Sequence, residues 1–377
     1  MLTIVPIIGF TISAAALVYL AGAVTAVRRW GERSIPLADR PAPVTILKPL
    51  CGDEPLLYEN LRSFCDQDYP EFQVIFGVRD RDDPAVPVVR RLIEEFTDRD
   101  LRLVVDERVL GGNFKVSNLV NMMAVARHDR LVIADSDIRV GRDYLASVVG
   151  PLEDPAVGLV TCLYRGYPVG GLWSRLGAQF INEGFLPSVL VAHALGSSDF
   201  GFGATLALRR EVLERIGGFP ALADYLADDY LLGALTRRLG LRTVLSPCLV
   251  ETVVHEPTLA ALLAHELRWQ RTIRLVRPAG HAGSVFTHAL PVSLLGSLLI
   301  NSLPWSAIIP LLVLLLRLVL YFSARSVLHL SDSATAWLVP FRDLLSLMIW
   351  LASFLRRSVR WRERELSVRT DGRMIAR

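Results

Sequence analysis

The strongest constraint on this chain is an uncharged run near its start. From Leu2 to Val27, 26 consecutive positions carry no charged residue. As a helix rising 1.5 Å per residue, such a run is about 39 Å long, enough to cross a hydrocarbon core of roughly 30 Å. Arg28, Arg29 and Arg33 follow directly, whereas a cleavable signal peptide carries its positive charge before the apolar run. Residues 2–27 therefore read as an uncleaved transmembrane anchor whose C-terminal end stays in the cytoplasm. A second apolar zone, residues 285–322, is interrupted by Pro291, Pro304, Pro310 and Arg317 and is expected to be a transmembrane region. It is long for one span and short for two. A third, residues 337–355, contains Arg342-Asp343 and reads as a further transmembrane helix. The tail, residues 356–377, holds eight arginines against three acids and belongs with the cytoplasm, so an even number of crossings follows residue 285. The expectation is a multi-pass protein of the inner (cytoplasmic) membrane with its polar region cytoplasmic.

Composition agrees with that division. The 377 residues are 52% hydrophobic and 21% charged, where soluble domains average about 45–50% and 25%. A net charge of +3 is too small for a nucleic-acid-binding surface. The four cysteines stand far apart with no C-x-x-C, which excludes a disulfide framework or a zinc ribbon. Among 41 basic residues only Lys48 and Lys115 are lysine.

Between the apolar zones, residues 41–257 alternate short buried-strand patterns with helical ones. Strands are expected at Val44–Leu47, Phe72–Val78, Leu101–Val105 and Leu131–Ala134. Helices are expected at Glu54–Cys65, Pro84–Phe96 and Val116–Ala126. That alternation means βαβ units, a mostly parallel sheet, and a ligand cleft beyond the carboxyl ends of the strands. Those ends carry acids: Arg79-Asp80-Arg81-Asp82-Asp83 after the second strand and Asp135-Ser136-Asp137 after the fourth. A lone acid there more often caps a turn or helix. In Asp135-x-Asp137, however, both carboxylates project to one side of an extended segment. Two hard oxygen ligands so spaced suit Mg²⁺ or Mn²⁺ shared with a diphosphate. Downstream, Asp228-Asp229-Tyr230 opens a helix over Leu231–Leu239, where a paired acid serves either as a cap or as a general base. Residues 258–280 contain an amphipathic stretch, Leu259 to Val276, with Arg268 and Trp269, suited to a membrane interface. Neither His255-Glu256 nor His265-Glu266 has a second histidine at the H-E-x-x-H spacing, so a zinc protease is rejected.

Taken in order, these residues resemble family 2 glycosyltransferases of GT-A (nucleotide-diphospho-sugar transferase) fold, and more closely the ceramide-glucosyltransferase-like branch. Leu47-Lys48-Pro49-Leu50, Asp68-Tyr69-Pro70, Asp82-Asp83-Pro84-Ala85, Lys115-x-x-Asn118-Leu119, Asp135-Ser136 and Asp229-Tyr230 carry that likeness. Ile133 to Val140, Val160 to Gly166, Phe185 to Val191, Val254 to Pro257 and His265 to Trp269 are similar to the hopanoid-biosynthesis-associated glycosyltransferases. The likeness spans about residues 43 to 280.

The resemblance implies a membrane-bound inverting transferase using a UDP-sugar, with N-acetylglucosamine as the sugar and a hopanoid polyol as the lipid acceptor. Ceramide glucosylation from UDP-glucose and polysaccharide synthesis are the alternatives within the same fold. An inactive membrane scaffold of that fold is opposed by the intact Asp135, Asp137, Asp229 and Arg268. By position, Asp80 or Asp83 would hold the uridine, with Lys48, Lys115 and Asn118 also on the nucleotide-sugar. Asp135 and Asp137 would hold the metal, Asp229 would be the base, and Arg268 and Trp269 would close over diphosphate and acceptor. The family pattern places Gln or Arg where this chain has His265.

Overall fold

The computed structural model describes residues 4–33, 41–330, 335–355, 358–361, 364–369 and 372–375. Its centre is an eight-stranded sheet. The strands are β1 (Val44–Pro49), β2 (Phe72–Val78), β3 (Asp100–Val105), β4 (Arg130–Ile133), β5 (Ile138–Arg139), β6 (Val157–Pro168), β7 (Leu206–Arg209) and β8 (Arg242–Val254). They lie in the order β3-β2-β1-β4-β7-β6-β8-β5. Every residue of β1 and β2 is buried, as strands covered by helices on both faces are. The four expected strands fall within β1 to β4, to within one or two residues at each end.

The sheet is mixed. Pairings β1–β2, β1–β4, β2–β3 and β6–β8 are parallel. Pairings β4–β7, β6–β7 and β5–β8 are antiparallel. Strands β6 and β8 carry no unbroken apolar run that would mark them in the sequence. Burial in β8 largely alternates, and Pro247 breaks its pattern. The structure accommodates that proline in a bulge: the register steps from Cys162–Ser246 to Leu163–Leu249, so Pro247 and Cys248 have no partner on β6.

Helices Leu57–Cys65, Ala85–Glu95 and Tyr144–Val149 cover one face of the sheet. Helices Phe114–Met122, Arg210–Arg215 and Asp228–Arg238 cover the other. Asn113 caps Phe114–Met122 by accepting the Val116 N–H at 3.2 Å. The amphipathic helix spans Leu259–Val276, the expected range, capped by Thr258.

Among the described residues, two helices are long and apolar enough to cross a membrane: Ile4–Gly31, 28 residues, and Leu303–Val327, 25 residues. The expected zone 285–322 is instead divided. A ten-residue helix, Ala289–Leu298, precedes the long one, which runs on to Val327. Gly9 packs so closely on the end of Ala289–Leu298 that a Cβ there would lie 2.5 Å from the Gly296 carbonyl oxygen. At the other end Gly31 meets Val327. The expected span at 337–355 is a 14-residue helix, Val339–Ala352. At about 21 Å it is too short to cross alone, and its Arg342 and Asp343 are buried against protein.

The chain then returns to the α/β domain. Strands β9 (Ser358–Trp361), β10 (Arg364–Val368) and β11 (Met374–Ile375) form a small antiparallel sheet. Met374 N–H donates to the Asp224 carbonyl at 2.8 Å, and Leu226 N–H to that of Gly372 at 3.3 Å. The described part of the arginine-rich tail is thus pinned beside the loop that leads to Asp228-Asp229.

Candidate active site

A cleft of about 2020 Å³ opens beyond the carboxyl ends of the parallel strands, where the topology of such sheets puts ligands. Nine of the ten residues singled out in the sequence line it: Asp80, Asp83, Lys115, Asn118, Asp135, Asp137, Asp229, Arg268 and Trp269. The tenth, Lys48, does not. It is fully buried below the cleft, with its Nζ donating to the Asp135 carbonyl and lying 3.9 Å from the centre of the Phe64 ring. Burial lowers its pKa from 10.5 to about 7. It supports the backbone of Asp135 and has no surface to offer a nucleotide.

Asp135 and Asp137 sit on a turn rather than an extended segment, because Ile138 N–H closes back on the Asp135 carbonyl at 3.3 Å. Asp135 N–H donates to the Gly203 carbonyl at 3.2 Å. Asp137 accepts the Thr252 hydroxyl at 2.8 Å, and burial and the Asp135 charge raise its pKa. Among the described residues no group of three or more His, Cys, Asp or Glu gathers to enclose a metal. Two carboxylates at an open cleft nevertheless fit a Mg²⁺-like ion, which takes one or two protein carboxylates and completes its shell with substrate oxygens and water.

Asp228 and Asp229 begin helix Asp228–Arg238 with different duties. Asp228 is buried, accepts the Asn113 amide at 3.1 Å and stands 3.5 Å from Lys115 Nζ. Asp229 is half-buried and accepts the Gly203 N–H at 3.0 Å. Burial, then the Asp228 charge, raise its pKa from 3.8 to about 6, which suits a proton acceptor near neutral pH. Gly203 thus links the two acid groups, giving its N–H to Asp229 and its carbonyl to Asp135. Lys115 Nζ lies 2.6 Å from an Asp135 oxygen. Its burial would favour the neutral amine, but Asp135, Asp228 and Asp229 outweigh that and hold it protonated.

At the far wall, helix Leu259–Val276 aims His265, Arg268 and Trp269 into the cleft. The Arg268 guanidinium makes no hydrogen bond or ion pair with a described residue. Burial lowers its pKa, opposed by the charges of Asp135, Asp137, Glu256 and Asp229. His265 Nδ1 lies 2.6 Å from Glu256, and its ring stands edge-on to Trp269 at 4.5 Å.

Along the cleft, Asp83 accepts the Gly52 N–H on both oxygens at 3.0 Å and also the Ala85 N–H at 2.9 Å, whereas Asp80 is exposed. Asn118 is buried, its amide donating to the Gly77 carbonyl at 2.7 Å and its Oδ1 left without a partner.

Several cleft residues were not foreseen. Arg79 lines the cleft, its guanidinium 4.1 Å from the centre of the Phe114 ring and its Nε buried without a partner. Tyr164, Phe180, Phe185, Phe200 and Phe202 also line the cleft, along with the expected Trp269. Within it Tyr164 stacks on Phe185 at 5.1 Å and Phe200 on Phe202 at 5.6 Å. These rings come from four separate segments, so no local pattern announces them.

The chain is similar to curated ceramide glucosyltransferases. It is 27% identical over 197 residues to ceramide glucosyltransferase 1 of Caenorhabditis elegans, covering 52% of this chain and 42% of that protein. It is 23% identical over 348 residues to ceramide glucosyltransferase 3 of the same organism, covering 88% and 74%. The chain thus spans less than half of the first relative and about three quarters of the second. Among solved structures, a mannosyltransferase of Pyrobaculum calidifontis in complex with GDP-Man and Mn²⁺ superposes with a TM-score of 0.57. It is 22% identical and covers 94% of this chain and 98% of its own, a likeness of fold. The sequence profile of glycosyl transferase family 21 matches residues 8–374. The chain belongs to glycosyl transferase family 21.

Proposed function

We propose that the protein transfers a sugar, N-acetylglucosamine, from a UDP-sugar to the hydroxyl of a lipid acceptor, a hopanoid polyol, at the inner face of the cytoplasmic membrane. One observation carries the lipid-acceptor reading. The cleft is lined by charged residues, among them Asp80, Asp135, Lys115 and Asp229, and also by aromatic ones, among them Phe180, Phe185 and Trp269. Such a lining suits a charged sugar nucleotide and an apolar acceptor in one cleft, so the acceptor's body need never enter water.

Each residue has a task in that reading. Asp80 accepts from the uracil ring on the oxygen that the Asp82 N–H leaves open, since both Asp83 oxygens are engaged by Gly52 and one also by Ala85. Asp135 and Asp137 hold Mg²⁺ or Mn²⁺, which supplies charge neutralisation for the leaving diphosphate when bound. Lys115 and Arg268 add fixed positive charge at the same group. Asp229 takes the proton of the attacking hydroxyl. Attack from the side opposite the diphosphate inverts the anomeric centre, so an α-linked donor gives a β-glycoside. Trp269 and the aromatic wall orient the acceptor.

The resemblance of residues 133–140 and 185–191 supports the hopanoid, and the ceramide glucosyltransferase relatives favour ceramide with UDP-glucose as the second reading. The test is to incubate membranes bearing the protein with labelled UDP-sugars and identify the lipid product by mass spectrometry. A glycosylated hopanoid supports the first reading, a glucosylceramide the second, and a water-soluble polymer overturns both.

A further inference from the structure

Arg342 and Asp343 are the only charged residues in helix Val339–Ala352, and both are buried. A buried ion pair is rarely the most stable choice for such a place, since its desolvation offsets much of its attraction. The geometry supplies a different reason for it. Arg342 Nη1 and Nη2 grip the two Glu266 oxygens at 2.8 and 2.7 Å, a planar fork that fixes direction as well as distance. The same guanidinium lies 5.4 Å from the centre of the Phe180 ring and 3.4 Å from the Leu176 carbonyl. Arg342 therefore touches two helices that line the cleft.

Glu266 stands on helix Leu259–Val276, two residues before Arg268. Leu262, Glu266 and Gln270 form its buried face, while His265, Arg268, Trp269 and Thr272 line the cleft on another. Successive residues on a helix differ by about 100°, so fixing the direction of Glu266 fixes the rotation that aims Arg268 and Trp269. Asp343 anchors the other end of the device. It accepts Arg317 Nε and Nη2 at 3.0 Å, and Arg317 lies 3.8 Å from Glu183 on the cleft-lining segment.

We propose that Arg342 is a positioning residue for sugar transfer: through Glu266 it sets the rotation of the helix that presents Arg268 and Trp269 to the cleft. The inference rests on the roles proposed above for those two residues. Packing does not depend on it, because Leu176, Leu262, Leu338, Leu345 and Ile349 already form an apolar cluster at the same junction.

The test compares Arg342→Met, Glu266→Leu and the double variant in the full chain in membranes. Turnover, KM for the UDP-sugar, UDP affinity and melting temperature are measured for each. Both single variants should lose at least tenfold in kcat, with a parallel loss of UDP affinity because Arg268 serves the diphosphate. The apolar double variant should recover the melting temperature but not kcat. If Arg342→Met does not fold, the double variant carries the test. Wild-type kcat in the double variant, or a kcat within twofold of wild type in a folded Arg342→Met, would overturn the inference. Arg268→Ala is measured in parallel. Full turnover there would instead overturn the role given to Arg268, so the two failures are told apart.

Discussion

The Lys115 ammonium lies 2.6 Å from the Asp135 carboxylate within a cleft that also holds Asp137, Asp228 and Asp229. One cation thus balances part of a cluster of four acids. A divalent ion on Asp135 and Asp137 is repelled by Lys115, whereas a diphosphate is attracted by both. Lys115→Met is expected to tighten Mn²⁺ binding in the absence of nucleotide and to weaken UDP binding at least tenfold. Asp135→Ala should abolish metal-dependent UDP binding and turnover. Calorimetric titrations of each variant with Mn²⁺, with and without UDP, check both signs. Unchanged metal dependence in Asp135→Ala would remove that residue from the metal site.

Asp229 and Asp228 are expected to separate by mutation. Asp229→Asn keeps the shape and removes the proton acceptor, which typically costs 10²–10⁴-fold in rate, or about 3–5 kcal/mol of barrier. UDP affinity should persist. Asp228→Asn should be milder, because that side chain meets Asn113 and Lys115. Equal rate losses in the two variants would mean the base is misassigned.

The same pair sets a pH dependence. A base with a pKa near 6 is ionised above that value, so kcat/KM should rise with pH through about 6 and then level off. Removing the Asp228 charge favours ionised Asp229, so the Asp228→Asn profile should shift to lower pH. A profile unmoved in that variant would show that another group controls the limb.

Gly203 should tolerate no side chain. A Cβ there would lie 2.6 Å from Asp135 Oδ2 and 3.3 Å from Lys115 Nζ. Gly203→Ala is expected to cut turnover at least 100-fold while moving the melting temperature only a few degrees, since the clash falls on cleft side chains. Rate assays and thermal melts on one preparation decide it; near-normal turnover would contradict the placement of Asp135.

Membrane sidedness is open to a chemical probe. Cys51 is exposed, so a Cys51→Ser background is needed. Cysteines placed singly at Arg33 and Arg369 should both resist a membrane-impermeant thiol reagent in intact cells and react after lysis. Labelling of the Arg369 position alone would mean an odd number of crossings after residue 285.

The sequence by itself determined the elements whose signals are local. Mainly apolar runs marked β1 and β2, and an amphipathic pattern marked Leu259–Val276 to the residue. Strand-ending acids marked Asp80, Asp135 and Asp137, and all three line the cleft. Tertiary structure decided whatever depends on which distant residue comes alongside. Lys48 looked like a ligand contact and is a buried strut under Asp135, 87 positions away. Asp135-x-Asp137 read as extended and is a turn, because its backbone closes on Ile138. Arg342-Asp343 looked like a flaw in a membrane span, and its partners, Glu266 and Arg317, lie on other helices. Periodicity encodes the face a residue occupies on its own element. The partner across that face is set by how the sheet and helices stack, and no local pattern carries that information.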